Sequence, residues 1–193
     1  MNFWEERYQK AQTGWERGHI NHAFGDWNAF ADLEVGRVLV PGCGRAPEVE
    51  AFASLGWQVV AVDMAPSAVA FQKEQLQQYA DRVEVIEADL LTWQCDEPFD
   101  LIYEQTCLCA LNPEHWLQYE QQLSVWLKPG GQLAALFMQT NKEGGPPFHC
   151  EWSVMQDLFK TDRWQWPNTE PLHSVHPSGI HELGVRLTRI KST

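Results

Sequence analysis

RVLVPGCGRAPE, residues 37–48, is the stretch that decides the fold. An apolar strand, Arg37–Pro41, runs into Gly42 and Gly44 and then into a predicted helix over 47–55. In a nucleotide-binding crossover, such glycines let the backbone approach a ligand and turn sharply into the helix. The stretch therefore predicts a parallel sheet that binds a ligand at the carboxyl ends of its strands.

Strands and helices alternate along the rest of the chain. Apolar runs predict strands at 57–63, 83–89, 99–105 and 132–138, and two late strands at 163–167 and 185–190 that form an antiparallel pair. Helical patterns cover 3–12, 21–32, about 67–79 with Ser67 as cap, 113–126 and 152–160. We predict one α/β domain, residues 1–193, with a doubly wound, Rossmann-like, mostly parallel seven-stranded sheet and helices on both faces. Residues 1–35 are expected to form a helical cap over the ligand.

Charge and composition exclude several kinds of partner. The 193 residues carry 14 basic and 26 acidic side chains, a formal charge of -12 that repels nucleic acid and anionic membranes. No apolar run approaches the roughly 18 residues of a membrane helix, and MNFWEERYQK is unlike a signal peptide. The five cysteines show no disulfide or zinc spacing. We expect a cytoplasmic monomer that acts on small molecules.

The residues around the glycines indicate which ligand binds. Asp63 ends the second strand about 20 positions after the glycine turn, where an acid usually holds ribose hydroxyls. The third glycine of a dinucleotide fingerprint is missing, because Arg45, Ala46 and Pro47 follow Gly44. The turn therefore suits an adenosine ligand without phosphates, and S-adenosylmethionine is such a ligand.

The next two strands end on further polar residues. Asp89 and Leu90 follow the third strand, where they would bind and cover an adenine ring. Tyr103, Glu104 and Gln105 end the fourth strand, beside the expected methyl group. Aspartates at strand ends are also ordinary turn residues. Acids at the ends of three consecutive strands favour a binding site.

Six motifs together resemble one family. They are VLVPGCG, VVAVD, EADLLTW, FDLIYEQTCLCALNP, LKPGG and GGPPF, in this order, between Trp4 and about Leu158. The chain resembles the thiopurine S-methyltransferase family, and its pattern is closest to the plant halide and thiol methyltransferases. The resemblance implies a class I methyltransferase fold, with S-adenosylmethionine as methyl donor and S-adenosylhomocysteine as product.

The resemblance also implies roles for particular residues. The cofactor is expected to contact Trp4, Tyr8, Trp15, Gly42, Cys43, Gly44, Asp63, Met64, Asp89, Leu90 and Glu104. Glu104 and Tyr103 are the candidates to position the acceptor or to take its proton. Gln105 and Phe148 are expected to bind the acceptor, Phe148 as the apolar wall of a lid at 144–148 or, alternatively, as a core residue.

Because several residues depart from the family pattern, the sequence does not identify the methyl acceptor. Gln105 stands where the family has an arginine or an aromatic residue, and His115 and Trp116 stand where it tends to have an arginine. The expected acceptor is a small soft nucleophile: a thiol, a halide, a thiopurine or a selenium or tellurium species. The alternatives are an amine or hydroxyl acceptor, a noncatalytic cofactor-binding protein and a nicotinamide-dependent oxidoreductase, which Pro47 disfavours.

No metal site is predicted. Cys107 and Cys109 form a C-x-C pair without the other ligands of a structural zinc site. His173, His176 and His181 lie in HSVHPSGIH, where a metal would need further ligands. The simpler interpretation is that the two cysteines are buried reduced thiols and that the histidine stretch is a loop.

Overall fold

The computed structural model describes residues 2–176 and 178–190, in which eight strands form one mixed sheet. The strands are β1 (Arg37–Pro41), β2 (Gln58–Asp63), β3 (Val83–Glu87), β4 (Phe99–Gln105), β5 (Leu127–Gln139), β6 (Trp164–Gln165), β7 (Leu172–Val175) and β8 (His181–Arg189). The helices are α1 (Phe3–Gln9), α2 (His22–Asp26), α3 (Glu48–Ser54), α4 (Pro66–Gln75), α5 (Trp116–Trp126) and α6 (Trp152–Leu158). Short 3-10 turns lie at Asn28–Phe30, Gln77–Tyr79, Leu108–Ala110 and Pro113–His115.

The strand order confirms the predicted doubly wound architecture. It runs β3-β2-β1-β4-β5-β8-β6, and β7 also pairs with β8. The first five of these strands are parallel, whereas β8 is antiparallel to β5 and to both β6 and β7. The predicted antiparallel pairing of the two late strands is therefore confirmed. β7 is an additional strand in a segment that the sequence predicts as a loop.

Both faces of the sheet are covered, as a parallel sheet requires. Alternate residues of β1 point to opposite faces: Val38 and Val40 pack with α2 and α3, whereas Leu39 packs on the face of α5. The predicted inward residues of α3, Val49, Phe52 and Ala53, are fully buried. Those of α5, Trp116, Tyr119, Leu123 and Trp126, are buried too.

Several helices begin or end away from their predicted positions. The chain leaves α1 before Ala11, which has a φ of 52°, and the predicted helix over 21–32 breaks after α2, where Asn28–Phe30 have positive φ. α4 begins at Pro66, because the fixed φ of proline suits a first helical position. Ser67 therefore lies inside the helix and does not cap it.

No helix among the described residues is long and apolar enough to span a bilayer.

Candidate active site

A cavity of about 350 Å³ lies at the carboxyl ends of the parallel strands, under the N-terminal segment. All of the predicted site residues except Glu104 and Phe148 line it: Trp4, Tyr8, Trp15, Gly42, Cys43, Gly44, Asp63, Met64, Asp89, Leu90, Tyr103 and Gln105. The fold thus gathers residues from five separate segments around one space. This is the position in which open α/β sheets bind ligands.

The glycine turn after β1 forms one wall of the cavity. Gly42 and Gly44 have φ angles of 57° and 48°, a conformation that favours glycine. A Cβ on Gly42 would lie 2.8 Å from Cys107 Sγ, and one on Gly44 would lie 2.9 Å from the Tyr8 hydroxyl. The two glycines therefore let the turn pass closely between α1 and the segment after β4.

The carboxylate of Asp63 is fixed at the end of β2. Its Oδ2 accepts the Gly44 N–H at 2.8 Å, and its Oδ1 accepts the Ala65 N–H at 2.8 Å. Burial raises the pKa of Asp63, although the amides of Ala65 and Gly44 favour its ionised form. Since a carboxylate oxygen can accept more than one hydrogen bond, both oxygens keep capacity for a ligand. Asp63 is therefore an oriented acceptor in the cavity wall.

Asp89 and Leu90 lie where the third strand ends. Asp89 Oδ1 accepts the Leu91 N–H at 2.9 Å, so this aspartate is also a turn residue. Leu90 is buried and packs against the α5 side of the core. Both residues line the cavity, so Asp89 is a turn residue that also belongs to the cavity wall.

Three aromatic residues of the N-terminal segment form the wall opposite the sheet. The rings of Trp4 and Tyr8 each meet Trp15 edge to face, with centroids 5.4 and 5.5 Å apart. The Arg45 guanidinium lies over the Tyr8 ring at 5.0 Å. Burial raises the pKa of Tyr8, so its phenol keeps its proton. The aromatic wall suits a cationic ligand, because ring faces attract cations.

α1 is fastened to α4 through Glu5. The Glu5 carboxylate accepts the Ser67 N–H at 2.8 Å and the Ser67 hydroxyl at 2.7 Å. α4 has no side-chain cap from its own N-cap residue, Ala65. Glu5 therefore caps α4 from another element, and Asn2 adds a hydrogen bond to the Met64 carbonyl at 2.6 Å.

The other end of the N-terminal segment is held by a buried polar network that the sequence did not predict. Arg17 forms an ion pair with Glu182 and donates to the Val175 carbonyl at 3.1 Å. Asn21 donates to Glu182 at 3.1 Å and accepts the Ser174 hydroxyl at 2.7 Å. These partners lie more than 150 positions apart in the chain, so no local pattern reveals them.

Glu104 faces away from the cavity, in contrast to the expectation that it contacts cofactor and acceptor. Side chains alternate along a strand, so Tyr103 and Gln105 share the cavity side and Glu104 points to the other face. One Glu104 oxygen accepts the N–H groups of Cys107 at 3.0 Å and Leu108 at 2.6 Å. Burial raises the pKa of Glu104 to about 7. In the structure, Glu104 holds the turn after β4.

The segment 144–148 reaches the cavity through its prolines. Pro146 and Pro147 line the cavity, whereas Phe148 packs against the core on the α5 face. The Phe148 N–H donates to the Cys109 carbonyl at 2.7 Å. Of the two interpretations of Phe148, the structure supports the core residue.

Further lining residues were not predicted: Arg17, Met138, His176 and Ile180 lie outside the motifs, and Thr106 lies within one but was given no role. His176 bonds the Trp15 carbonyl and the Ser178 hydroxyl. His173 and His181 lie on β7 and β8. Within residues 2–176 and 178–190, no group of three potential ligands is placed to hold a metal.

Several named proteins are similar to most of this chain. Thiocyanate methyltransferase 1 of Arabidopsis thaliana is 32% identical over 81% of this chain and 70% of the plant protein. Probable thiol methyltransferase 2 of the same plant is 34% identical over the same shares. Thiopurine S-methyltransferase of Pseudomonas putida strain GB-1 is 30% identical over 98% of both chains.

Solved structures show the same fold. The 1,6-didemethyltoxoflavin N1-methyltransferase of Burkholderia thailandensis, with bound S-adenosylhomocysteine, superposes with a TM-score of 0.78 at 18% identity. The alignment covers 97% of this chain and 86% of the Burkholderia chain. TehB of Haemophilus influenzae superposes with a TM-score of 0.69 at 18% identity, and the alignment covers 86% of this chain and 62% of the TehB chain. The fold is that of the class I methyltransferases.

The matches settle the class of enzyme. A family model described as thiopurine S-methyltransferase matches residues 1–190. The chain is an S-adenosylmethionine-dependent methyltransferase, and the predicted cofactor is thereby confirmed. With a family match over nearly its whole length and a relative 30% identical from end to end, the chain belongs to the thiopurine S-methyltransferase family.

Proposed function

We propose that the cavity binds S-adenosylmethionine and a small soft acceptor, first of all a thiol, and that it catalyses S-methylation. The observation that carries this proposal is the oriented Asp63 carboxylate in the wall of a cavity roofed by Trp4, Tyr8 and Trp15. An acid at this position suits ribose hydroxyls, and an aromatic wall suits a sulfonium cation.

The residues present fit the cofactor. Asp63 offers free acceptor capacity, and Leu90 offers an apolar surface beside Asp89 for the adenine ring. Residues 42–44 of the glycine turn line the same cavity. When bound, S-adenosylmethionine supplies a methyl group activated by the positive charge on its sulfur.

The protein contributes orientation and exclusion of water. Methyl transfer needs the nucleophile, carbon and leaving sulfur in line, and holding reactants in such a geometry accelerates a reaction strongly. Trp4, Trp15, Pro146 and Pro147 line the cavity. Burial keeps the phenols of Tyr8 and Tyr103 protonated, so neither is suited to act as a base. A thiol acceptor therefore loses its proton to solvent and reacts as the thiolate.

Several observations support a thiol as acceptor. The relatives are named for thiocyanate, thiol and thiopurine acceptors. The lining residues around Gln105 include the polarisable groups of Cys107, Cys109 and Met138, which suit a soft atom. Halides, thiopurines and selenium or tellurium species share this softness and remain alternative acceptors in the proposal.

We also infer a cytoplasmic monomer, in which residues 1–35 cap one domain. The charge of -12 disfavours nucleic acid and anionic membranes as partners. All five cysteines are free, which suits a reducing compartment. Analytical ultracentrifugation tests the oligomeric state.

Isothermal calorimetry with S-adenosylhomocysteine and with NAD tests the cofactor site. We expect the wild type to bind S-adenosylhomocysteine and not NAD, and Asp63→Ala to weaken that binding by about tenfold or more. Asp81→Ala is the control, because Asp81 is an exposed acid that pairs with Arg82. Asp63→Asn keeps one acceptor oxygen and serves if the alanine variant fails to fold. Equal affinity in Asp63→Asn and the wild type would contradict the assignment of Asp63.

Transfer assays with thiols, iodide and thiopurines then identify the acceptor. Turnover of a thiol supports the proposed function. Binding of S-adenosylhomocysteine without turnover of any acceptor, amines and alcohols included, would instead indicate a noncatalytic cofactor-binding protein.

A further inference from the structure

Tyr103 and Gln105 are joined by a hydrogen bond at the cavity wall. They lie two residues apart on β4, so their side chains share a face, and both line the cavity. The Tyr103 hydroxyl donates to Gln105 Oε1 at 2.8 Å. Burial raises the pKa of Tyr103 well above its ordinary value, and the hydroxyl keeps its proton. The phenol therefore acts as a fixed donor.

This hydrogen bond decides which end of the Gln105 amide faces the ligand. Because Oε1 accepts from Tyr103, the Nε2 amide group points elsewhere. Nε2 has no hydrogen-bond partner among residues 2–176 and 178–190. It is also absent from the fully buried side-chain atoms that lack a partner, so Nε2 is not completely enclosed. Since Gln105 is half-buried in the cavity wall, free N–H donors face the cavity.

Most other polar groups of this region are engaged or neutral. The Arg17 guanidinium pairs with Glu182 through Nη2, and its enclosed Nε has no partner within the described residues. The Thr106 hydroxyl donates to the Gln105 carbonyl at 2.6 Å. Burial raises the pKa of the Cys107 and Cys109 thiols, which stay uncharged. The Gln105 amide is thus a neutral donor available to a second substrate.

We propose that Gln105 donates a hydrogen bond to the nucleophilic atom of the methyl acceptor, and that Tyr103 is the positioning residue that orients the Gln105 amide. This inference rests on the proposed methyltransferase function. It assigns the acceptor as an anion with an exposed lone pair, a thiolate. A neutral amide stabilises such an anion without the tight ion pair that an arginine would form.

The transfer step balances without a base. The lone pair of the thiolate forms the new bond to the methyl carbon, and the electron pair of the breaking carbon–sulfur bond stays on the cofactor sulfur. The thiolate becomes a neutral thioether, and no proton moves. An amine, in contrast, presents N–H donors to the Gln105 donors and must also lose a proton, so the site discriminates against it.

The first test is the ionisation of a bound thiol. 4-Nitrothiophenol reports its thiolate by absorbance and is titrated in the complex with S-adenosylhomocysteine. We expect Gln105→Met to raise the apparent pKa of the bound thiol by about one unit relative to the wild type. Gln105→Glu should raise it further, because a carboxylate repels the thiolate. Gln78→Met is the matched control, since Gln78 is exposed and bonds Glu50 on the surface.

The second test compares benzenethiol with aniline, which share a ring and differ in the reacting atom. We expect the wild type to prefer benzenethiol, and Gln105→Met to lower its kcat/KM by about tenfold. S-adenosylhomocysteine affinity should stay within about twofold of the wild type. Tyr103→Phe should cost less than Gln105→Met, and the double variant should match Gln105→Met alone, because Tyr103 acts through Gln105.

Several outcomes would overturn the inference. These are an unchanged thiol pKa and kcat/KM in Gln105→Met, a preference for aniline, no binding of 4-nitrothiophenol to the loaded wild type, and no methylation of benzenethiol by a protein that binds S-adenosylhomocysteine. Additive losses in the double variant would overturn the role of Tyr103. A wild type that fails to bind S-adenosylhomocysteine refutes the proposed function instead.

Discussion

Glu104 is a fully buried carboxylic acid whose two oxygens differ in their hydrogen bonds. One oxygen accepts the N–H groups of Leu108 and Cys107, whereas the other has no partner within the described part of the chain. Burial raises its pKa from 4.5 to about 7. The folded state therefore binds this proton more tightly than the unfolded state does. The resulting stability is full below pH 4.5 and is lost as the pH rises to about 7.

Glu104→Gln should remove this contribution to the pH dependence. The amide keeps an oxygen for the two N–H groups and does not ionise. Between about pH 5.5 and about pH 8.5, we expect the free energy of unfolding to fall by about 2 kcal/mol less in the variant than in the wild type. Urea denaturation at the two pH values measures the difference.

Glu114→Gln is the control for this prediction, because Glu114 is an exposed acid at the start of the Pro113–His115 turn. Burial also raises the pKa of Asp63, Glu48 and Glu182, so some loss of stability with pH should persist in Glu104→Gln. An equal fall in the wild type and in Glu104→Gln would show that Glu104 does not ionise in this range.

The sequence largely predicted which residues form the site, but it predicted less well which way their side chains point. Asp63 follows from its spacing after the glycine turn, a local property of the chain. The alternation of side chains along β4 was also available and would have separated Glu104 from Tyr103 and Gln105. Arg17 was not predictable, because its partner Glu182 reaches it only through the fold.

At the scale of elements, α4 depends on α1 for its N-terminus. The first N–H groups of a helix need acceptors from outside its own ladder. Glu5 supplies them to Ser67, and these hydrogen bonds lower the pKa of Glu5. Because α4 follows directly after Asp63 and Met64, this cap joins the N-terminal segment to the cofactor wall.

Glu5→Ala should weaken both helices. We expect the loss of a capping interaction to cost about 1 kcal/mol of stability and to speed amide hydrogen exchange in α1 and in the first turn of α4. Glu6→Ala is the matched control, because Glu6 is the neighbouring exposed acid and pairs with Lys10 on the surface. Chemical denaturation and hydrogen exchange measure the two effects. Equal exchange in the two variants would exclude the capping role.

The elements with strong local patterns were predictable, and those set by long-range contacts were not. α5 carries Trp116, Tyr119, Leu123 and Trp126 at helical spacing and covers most of the predicted helix over 113–126, of which 113–115 form a 3-10 turn. β7 has no such pattern, since its buried Ser174 is polar and is satisfied by Asn21 from the N-terminal segment. A polar residue at an inward position hides a strand from sequence patterns.

At the scale of the whole molecule, the N-terminal segment is tied at its two ends and lightly packed between them. Glu5 holds one end, and the ion pair of Arg17 with Glu182 holds the other. Its aromatic cluster contains only Tyr8, Ala65 and Ala68 as buried members among the described residues, with Trp4 and Trp15 partly buried. Segments with few buried contacts open at a lower free energy than the core does.

Cofactor binding should therefore close this segment. S-adenosylhomocysteine is expected to contact Trp4, Tyr8 and Trp15, and a ligand at about 100 times its Kd stabilises the bound form by about 2.7 kcal/mol. Amide exchange in 3–15 should then slow by up to about a hundredfold relative to the free protein. Amides that open locally while the ligand stays bound should not change, whereas amides of α5 that open only with the whole fold should slow by a similar factor, because the unfolded state does not bind the ligand.

The variant Asp63→Ala distinguishes closure of the N-terminal segment by the ligand from a general stabilisation of the protein. At the same S-adenosylhomocysteine concentration, exchange in 3–15 should slow about tenfold less in this variant than in the wild type, because its affinity for the ligand is about tenfold lower. Exchange in 3–15 that does not respond to S-adenosylhomocysteine in the wild type, while calorimetry shows binding, would mean that the aromatic wall is closed before the cofactor arrives.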